Sequence, residues 1–98
     1  MQTKPILTLD NYKELLNAYS KVELVHTLSV VGDVYRNFTM SEEFIRKFKD
    51  LVNWEYISTY QQLSESFIRE FKDEVSWYYI SSCHTLSEGF IREYQDLS

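Results

Sequence analysis

The chain is short of the residues that build loops and covalent cross-links. Its 98 residues include one proline, Pro5, and two glycines, Gly32 and Gly89, which leaves little material for long loops or disordered linkers. Cys83 is the only cysteine, so an internal disulfide is excluded and nothing points to an oxidising compartment. The first ten residues, MQTKPILTLD, hold no apolar run long enough for a signal peptide or a membrane span. Asn37-Phe38-Thr39 matches a glycosylation sequon, but without a secretion signal the expectation is a soluble, intracellular, cytoplasmic protein. Positive charge is also in deficit, with ten Lys and Arg against fifteen Asp and Glu and a net charge of −5.

That deficit is unevenly placed. In residues 1–40, Asp10, Glu14, Glu23 and Asp33 balance Lys4, Lys13, Lys21 and Arg36, whereas residues 41–98 hold eleven acidic and six basic side chains. Such a face argues against binding a phosphate backbone, and equally against docking on an anionic membrane. Aromatic residues are plentiful at 16%. They bury the most area per residue and suit the thin core that a single small domain, residues 1–98, would have.

The dominant feature is an internal repeat. Residues 41–63 read SEEFIRKFKDLVNWEYISTYQQL, residues 64–86 read SESFIREFKDEVSWYYISSCHTL, and residues 87–98 read SEGFIREYQDLS. Ser41, Ser64 and Ser87 stand 23 residues apart, and Phe44, Phe67 and Phe90 follow each at the same distance. A fixed period of this length predicts stacked supersecondary units. The expected fold is all-α: short helix-turn-helix repeats stacked as a small α-solenoid, with two full repeats and a half repeat. Residues 1–40 are expected to form a non-repeat helical N-terminal segment, acting either as a cap for the array or as a degenerate repeat.

In that segment residues 1–8 read as an irregular lead-in, Asp10 as an N-cap, and Ser20 with Glu23 as a capping box. Gly32 reads as a C-terminal stop. Each repeat's first helix begins after its serine, or after a capping box two residues earlier at Thr39-x-x-Glu42 or Thr85-x-x-Glu88. Its apolar face is Phe44, Ile45, Phe48 and Val52, repeated as Phe67, Ile68, Phe71 and Val75. Glu42–Arg46–Asp50, Glu65–Arg69–Asp73 and Glu88–Arg92–Asp96 have the spacing of i, i+4 ion pairs on a solvated face. The second helix begins after Asn53 or Ser76, with Trp54 and Ile57, or Trp77 and Ile80, turned to the preceding helix. Ser58 and Ser81 are small enough for helices to approach closely.

The pattern L-S-E-x-F-I-R-E-F-x-D-x-V-x-W-x-x-I-S, held by residues 63–81, resembles a short repeat family found in hypothetical proteins of giant DNA viruses, phages and bacteria. It covers residues 40–98 and leaves out residues 1–39. The resemblance implies a viral or mobile-element origin and a helical array used for binding, and it brings no catalytic motif.

Signals for chemistry are weak. His26, Cys83 and His84 lack metal-ligand spacing, because adjacent helical residues point about 100° apart. Cys83 takes the repeat slot of Tyr60 and is expected to be partly buried and structural. The two glycines are isolated, so there is no phosphate loop. No enzyme activity, no metal and no cofactor are expected. The better signal is where the copies differ. Scaffold positions must match for stacking, so positions that vary are free for contact, and Glu55, Tyr56, Tyr60, Tyr78, Tyr79 and His84 gather on the second helices. Either these tyrosines form a protein interface or they close the thin core.

Three roles follow. One is a non-enzymatic protein-binding repeat protein, a viral or mobile-element factor that inhibits a host protein through those residues. A second is an acidic inhibitor of a host nucleic-acid enzyme, of anti-CRISPR or anti-restriction type, with Glu65, Glu70, Asp73, Glu74, Glu88, Glu93 and Asp96 blocking or mimicking nucleic acid. The third is a self-assembling structural protein, a homo-oligomer. The expected partner is another protein, such as a host nuclease or nucleoprotein complex, with no direct contact to nucleic acid or membrane.

Overall fold

Three serines start three helices in one manner. The computed structural model describes residues 4–19, 24–30 and 32–97. Ser41, Ser64 and Ser87 are each extended in backbone, and each side-chain oxygen accepts from the amide three residues on, at Phe44, Phe67 and Phe90. This satisfies one of the four amides that a helix start leaves orphaned. The serines, and not Thr39 or Thr85, are therefore the caps.

The chain is mostly helical, with one pair of two-residue strands among the described residues. In order it forms β1 (Ile6–Leu7), α1 (Tyr12–Tyr19), α2 (Leu24–Val30), α3 (Gly32–Asn37) and β2 (Thr39–Met40). There follow α4 (Glu42–Lys47), α5 (Trp54–Tyr60), α6 (Glu65–Glu70), α7 (Trp77–Cys83), α8 (Glu88–Tyr94) and a closing 3-10 turn, Gln95–Leu97. Among the described residues no helix is long and apolar enough to cross a membrane. The chain divides into two compact units, Met1–Asn53 and Trp54–Ser98, so the boundary falls inside the first repeat, between its two helices.

The repeat's first helix is shorter than its apolar spacing predicts. It ends at Lys47 and at Glu70, where the amides of Leu51 and Val52 both donate to the Phe48 carbonyl, and those of Glu74 and Val75 to Phe71. That shared acceptor tightens the chain into a turn, which still delivers Val52 and Val75 to buried positions.

In the first unit, Ile6–Leu7 of the lead-in that looked irregular form a strand. β1 pairs with β2 in parallel, Ile6 with Thr39 and Leu7 with Met40. The Leu7 carbonyl accepts from the Ser41 amide at 2.8 Å. Asp10 does not cap α1. The turn before α1 is closed by Asn11, whose amide side chain accepts from Thr8 N at 2.8 Å and donates to the Ile6 carbonyl at 2.9 Å. The capping box at Ser20 and Glu23 lies outside the described residues. Gly32 is the first residue of α3, two positions after the end of α2, and no glycine among the described residues has a positive φ.

α3 lies in register with the repeat. Adding 23 to Val34 gives Ile57 and then Ile80, and all three are fully buried. The same shift takes Tyr35 to Ser58 and then to Ser81. Tyr35 Oη accepts from the Asn53 amide at 2.8 Å and donates to the Leu28 carbonyl. Ser58 Oγ accepts from the Ser76 amide at 2.9 Å and donates to the Trp54 carbonyl at 2.6 Å. Each hydroxyl serves an amide 18 residues ahead. Ser58 therefore does more than let helices approach, and Ser76, although it stands at the start of α7, makes no side-chain cap. Ser81 repeats the bond to its own helix, donating to Trp77 O at 2.7 Å, and is exposed.

Rings complete the packing. Phe44 and Phe48 lie 4.9 Å apart, Phe67 and Phe71 4.7 Å, and Phe90 and Tyr94 4.8 Å. Trp54 sits on the second pair, 5.0 Å from Phe71, and Trp77 on the third, 4.8 Å from Tyr94. Both tryptophans thus meet rings of the helix that follows them, and the Trp77 indole also donates to the Lys72 carbonyl, in the turn after α6, at 2.9 Å. On the first pair the third ring is Tyr12, edge-on at 5.2 Å from Phe48.

Removing the Ser58 hydroxyl orphans the Ser76 amide. Ser58→Ala is expected to lose about 1–3 kcal/mol of stability in urea unfolding, and Ser81→Ala, at the exposed equivalent, less than about 0.5 kcal/mol. Burial pushes the Tyr35 phenol up to about 12 from 10.0, against a smaller opposite effect of the Asn53 amide. The folded state then holds a proton that the unfolded chain releases. The Tyr35 contribution to stability is complete below pH 10 and falls as the pH rises toward 12, a loss that urea titrations will show as a declining midpoint.

Candidate functional site

Helices α5 and α7 have the same length and start one repeat apart, and they pack side by side. Ile57 and Ser58 of α5 and Ile80 of α7 turn to the core, and Glu55, Tyr60 and Tyr78 are exposed. Glu55, Tyr56, Thr59 and Tyr60 occupy two adjacent columns of α5, each column one helical turn in spacing. With Tyr79 of α7 they line an open cleft of about 160 Å³. The Tyr56 and Tyr60 rings are 6.2 Å apart and inclined by only 24°. Tyr78, 71% exposed, meets Tyr79 edge-on at 5.1 Å.

Four of the sequence-predicted contact residues, Glu55, Tyr56, Tyr60 and Tyr79, therefore share one cleft, and Tyr78 stands beside it. None of the four tyrosines belongs to the buried core. Thr59 was not anticipated. Its spacing of four from Glu55, between the two tyrosine positions, was the available signal. Its hydroxyl donates to the Glu55 carbonyl at 2.8 Å, as Ser82 in the same slot of α7 does to Tyr78 O at 2.6 Å.

The other predicted residues lie apart from this cleft. His84 ends α7 half-buried, and its Nε2 donates to the Ser58 carbonyl at 2.6 Å, tying the end of one helix to its neighbour. Glu70 ends α6, and Asp73 and Glu74 occupy the turn after it, all exposed. Cys83 is the last residue of α7, whose buried residue is Ile80, and it is exposed and not partly buried as expected.

Several acidic residues have intrachain partners. Glu65 accepts from the Ser87 amide at 2.6 Å and from the Ser87 hydroxyl at 2.8 Å, which joins one repeat to the cap of the next. Glu88 pairs with Arg92, one turn on, as the spacing predicts. Arg69 does not turn to Asp73. Its guanidinium holds Glu93 through two bonds, Nε at 3.1 Å and Nη2 at 2.9 Å, and lies 5.4 Å from the Phe90 ring centre. The bonds from Arg69 hold the Glu93 carboxyl below its usual range, and Glu93 in turn raises Arg69. Desolvation pushes the adjacent Tyr94 phenol up.

A second, smaller cleft of about 90 Å³ lies at the third repeat, lined by Trp77, Leu86, Phe90, Ile91 and Tyr94 among others. Ile91 is 51% exposed, whereas its counterparts Ile45 and Ile68 are fully buried. Among the described residues no group of three or more His, Cys, Asp or Glu side chains converges as a metal site would.

Because the Glu93 carboxyl lies low, its contribution to stability is complete above the ordinary glutamate value of about 4.3 and is lost as the pH falls through its lower folded value. Urea unfolding of Glu93→Gln should therefore lose less stability than the parent on acidification, by a small margin, since both partners are half-exposed. No family model matches the chain, and neither a curated protein nor a solved structure matches it.

Proposed function

We propose that this chain is a non-enzymatic protein-binding repeat protein, a viral or mobile-element factor that binds and inhibits a host protein through the tyrosine face of α5 and α7. In this reading the two-helix repeats stack as a small α-solenoid whose variable second-helix positions face the partner. The observation that carries it is the placement of Tyr56, Tyr60, Tyr78 and Tyr79 together, outside the core, on two adjacent helices. Exposed tyrosines give large contact area at low rotamer cost, and a hydroxyl that finds a partner when buried. The viral or mobile origin rests on the resemblance of residues 63–81 alone.

The acidic reading keeps one specific support. Residues 54–98 hold eight acidic and three basic side chains, the whole net charge of −5. Glu70, Asp73 and Glu74 are exposed near one another in sequence. Against a continuous acidic strip stand Glu65, Glu88 and Glu93, which are engaged within the chain.

The test is affinity capture from a prokaryotic lysate, with the parent and with the triple variant Tyr56→Ala, Tyr60→Ala, Tyr78→Ala compared for what stays bound. The variant is expected to keep its far-ultraviolet circular dichroism and to lose its partner. Each truncation of an anchoring tyrosine should weaken binding about thirty-fold, equivalent to about 2 kcal/mol. Unchanged capture would count against the tyrosine face. Binding that instead collapses with salt and competes with DNA or RNA would favour the acidic reading.

A further inference from the structure

We infer that the cleft formed by Glu55, Tyr56, Tyr60 and Tyr79 receives an arginine side chain of the partner. The inference rests on the reading of the tyrosine face as a protein-binding surface and names the chemistry that face selects. Ring faces carry negative electrostatic potential and attract a cation within about 6 Å of a ring centre. Three phenols and one exposed carboxylate line this cleft, and no basic residue does. The compact unit around it carries the whole net charge of −5, so the wider field favours a positive group as well.

The chain contains a precedent for such recognition. Arg69 lies over the Phe90 ring while its guanidinium forks onto the Glu93 carboxylate. One aromatic face and one glutamate hold that guanidinium at the surface of the same unit. The cleft on α5 and α7 offers the same two kinds of group, with three rings instead of one, and no basic residue is among those that line it. Arginine fits better than lysine. Its planar fork presents five donors to a carboxylate and to phenol oxygens, and it is the less strongly hydrated cation. At about 160 Å³ the cleft has room for a side-chain head group and not for a folded element.

The test titrates the isotope-labelled full chain with N-acetyl-arginine methylamide, the probe, and separately with the neutral citrulline derivative of nearly the same shape. Ring resonances of Tyr56, Tyr60 and Tyr79 report the site, with Tyr78 as the neighbour outside it. The expected result is saturable shifts confined to the cleft residues with arginine and several-fold weaker shifts with citrulline. Glu55→Gln, at an exposed position, should weaken the arginine response about five-fold, the upper end for a solvent-exposed ion pair, with circular dichroism unchanged. Equal responses to arginine and citrulline would overturn the proposal, as would a stronger response to the lysine derivative. Shifts centred on Glu70, Asp73 and Glu74 would overturn it too. Any of these outcomes, beside loss of protein capture in the triple tyrosine variant, would leave the tyrosine face standing as an interface and remove only its arginine specificity.

Discussion

The packing of one ring pair against a third ring recurs along this chain, and the short helices depend on it. Helices of six or seven residues are not stable alone in water, since nucleation costs more than so few bonds return. Here each first helix ends with two rings one turn apart, at nearly the same separation in all three copies. A third ring from another element then closes over them. Two of these third rings are tryptophans of the second helices, and the remaining one is Tyr12 of α1. The N-terminal segment thus supplies from outside the repeat what the repeat elsewhere supplies from within. It does the same for the capping serine. The Ser41 amide bonds to the Leu7 carbonyl in β1, whereas the Ser87 amide bonds to the Glu65 carboxylate one repeat earlier.

Much of this was legible in the sequence because it is local. A serine three residues before a phenylalanine, an acidic first turn and an apolar i, i+4 pair are short-range signals, and all three first helices start where those signals place them. What was not legible depends on distant partners. A two-residue strand such as Ile6–Leu7 has no periodicity to detect, and its existence depends on Thr39 and Met40. The rings that Trp54 and Trp77 meet, Phe67 with Phe71 and Phe90 with Tyr94, belong to the next repeat. The register of α3 was hidden because Tyr35 and Ser58 share no side-chain volume. They share an oxygen and a spacing.

The tyrosine cleft was legible in part for the opposite reason. Its residues stand out by differing between copies, and the structure places Glu55, Tyr56, Tyr60 and Tyr79 around one hollow. Spacing alone did not separate them from His84, which closes a backbone contact, or from Glu65 and Glu93, which join repeats. Surface charge has two uses in this chain, as connector and as exposed face, and only the position of each partner tells them apart.

The hydroxyl at position 35 or 58 also shows that one slot can be met by side chains of very different size. A buried slot usually selects for size, and a change from serine to tyrosine there would be severe. In this chain the requirement at that slot is an oxygen able to reach one amide 18 residues ahead, and a short side chain near it or a long one from further away can both meet it. Segments under such a rule can differ widely in side-chain volume at that slot while making the same backbone contact.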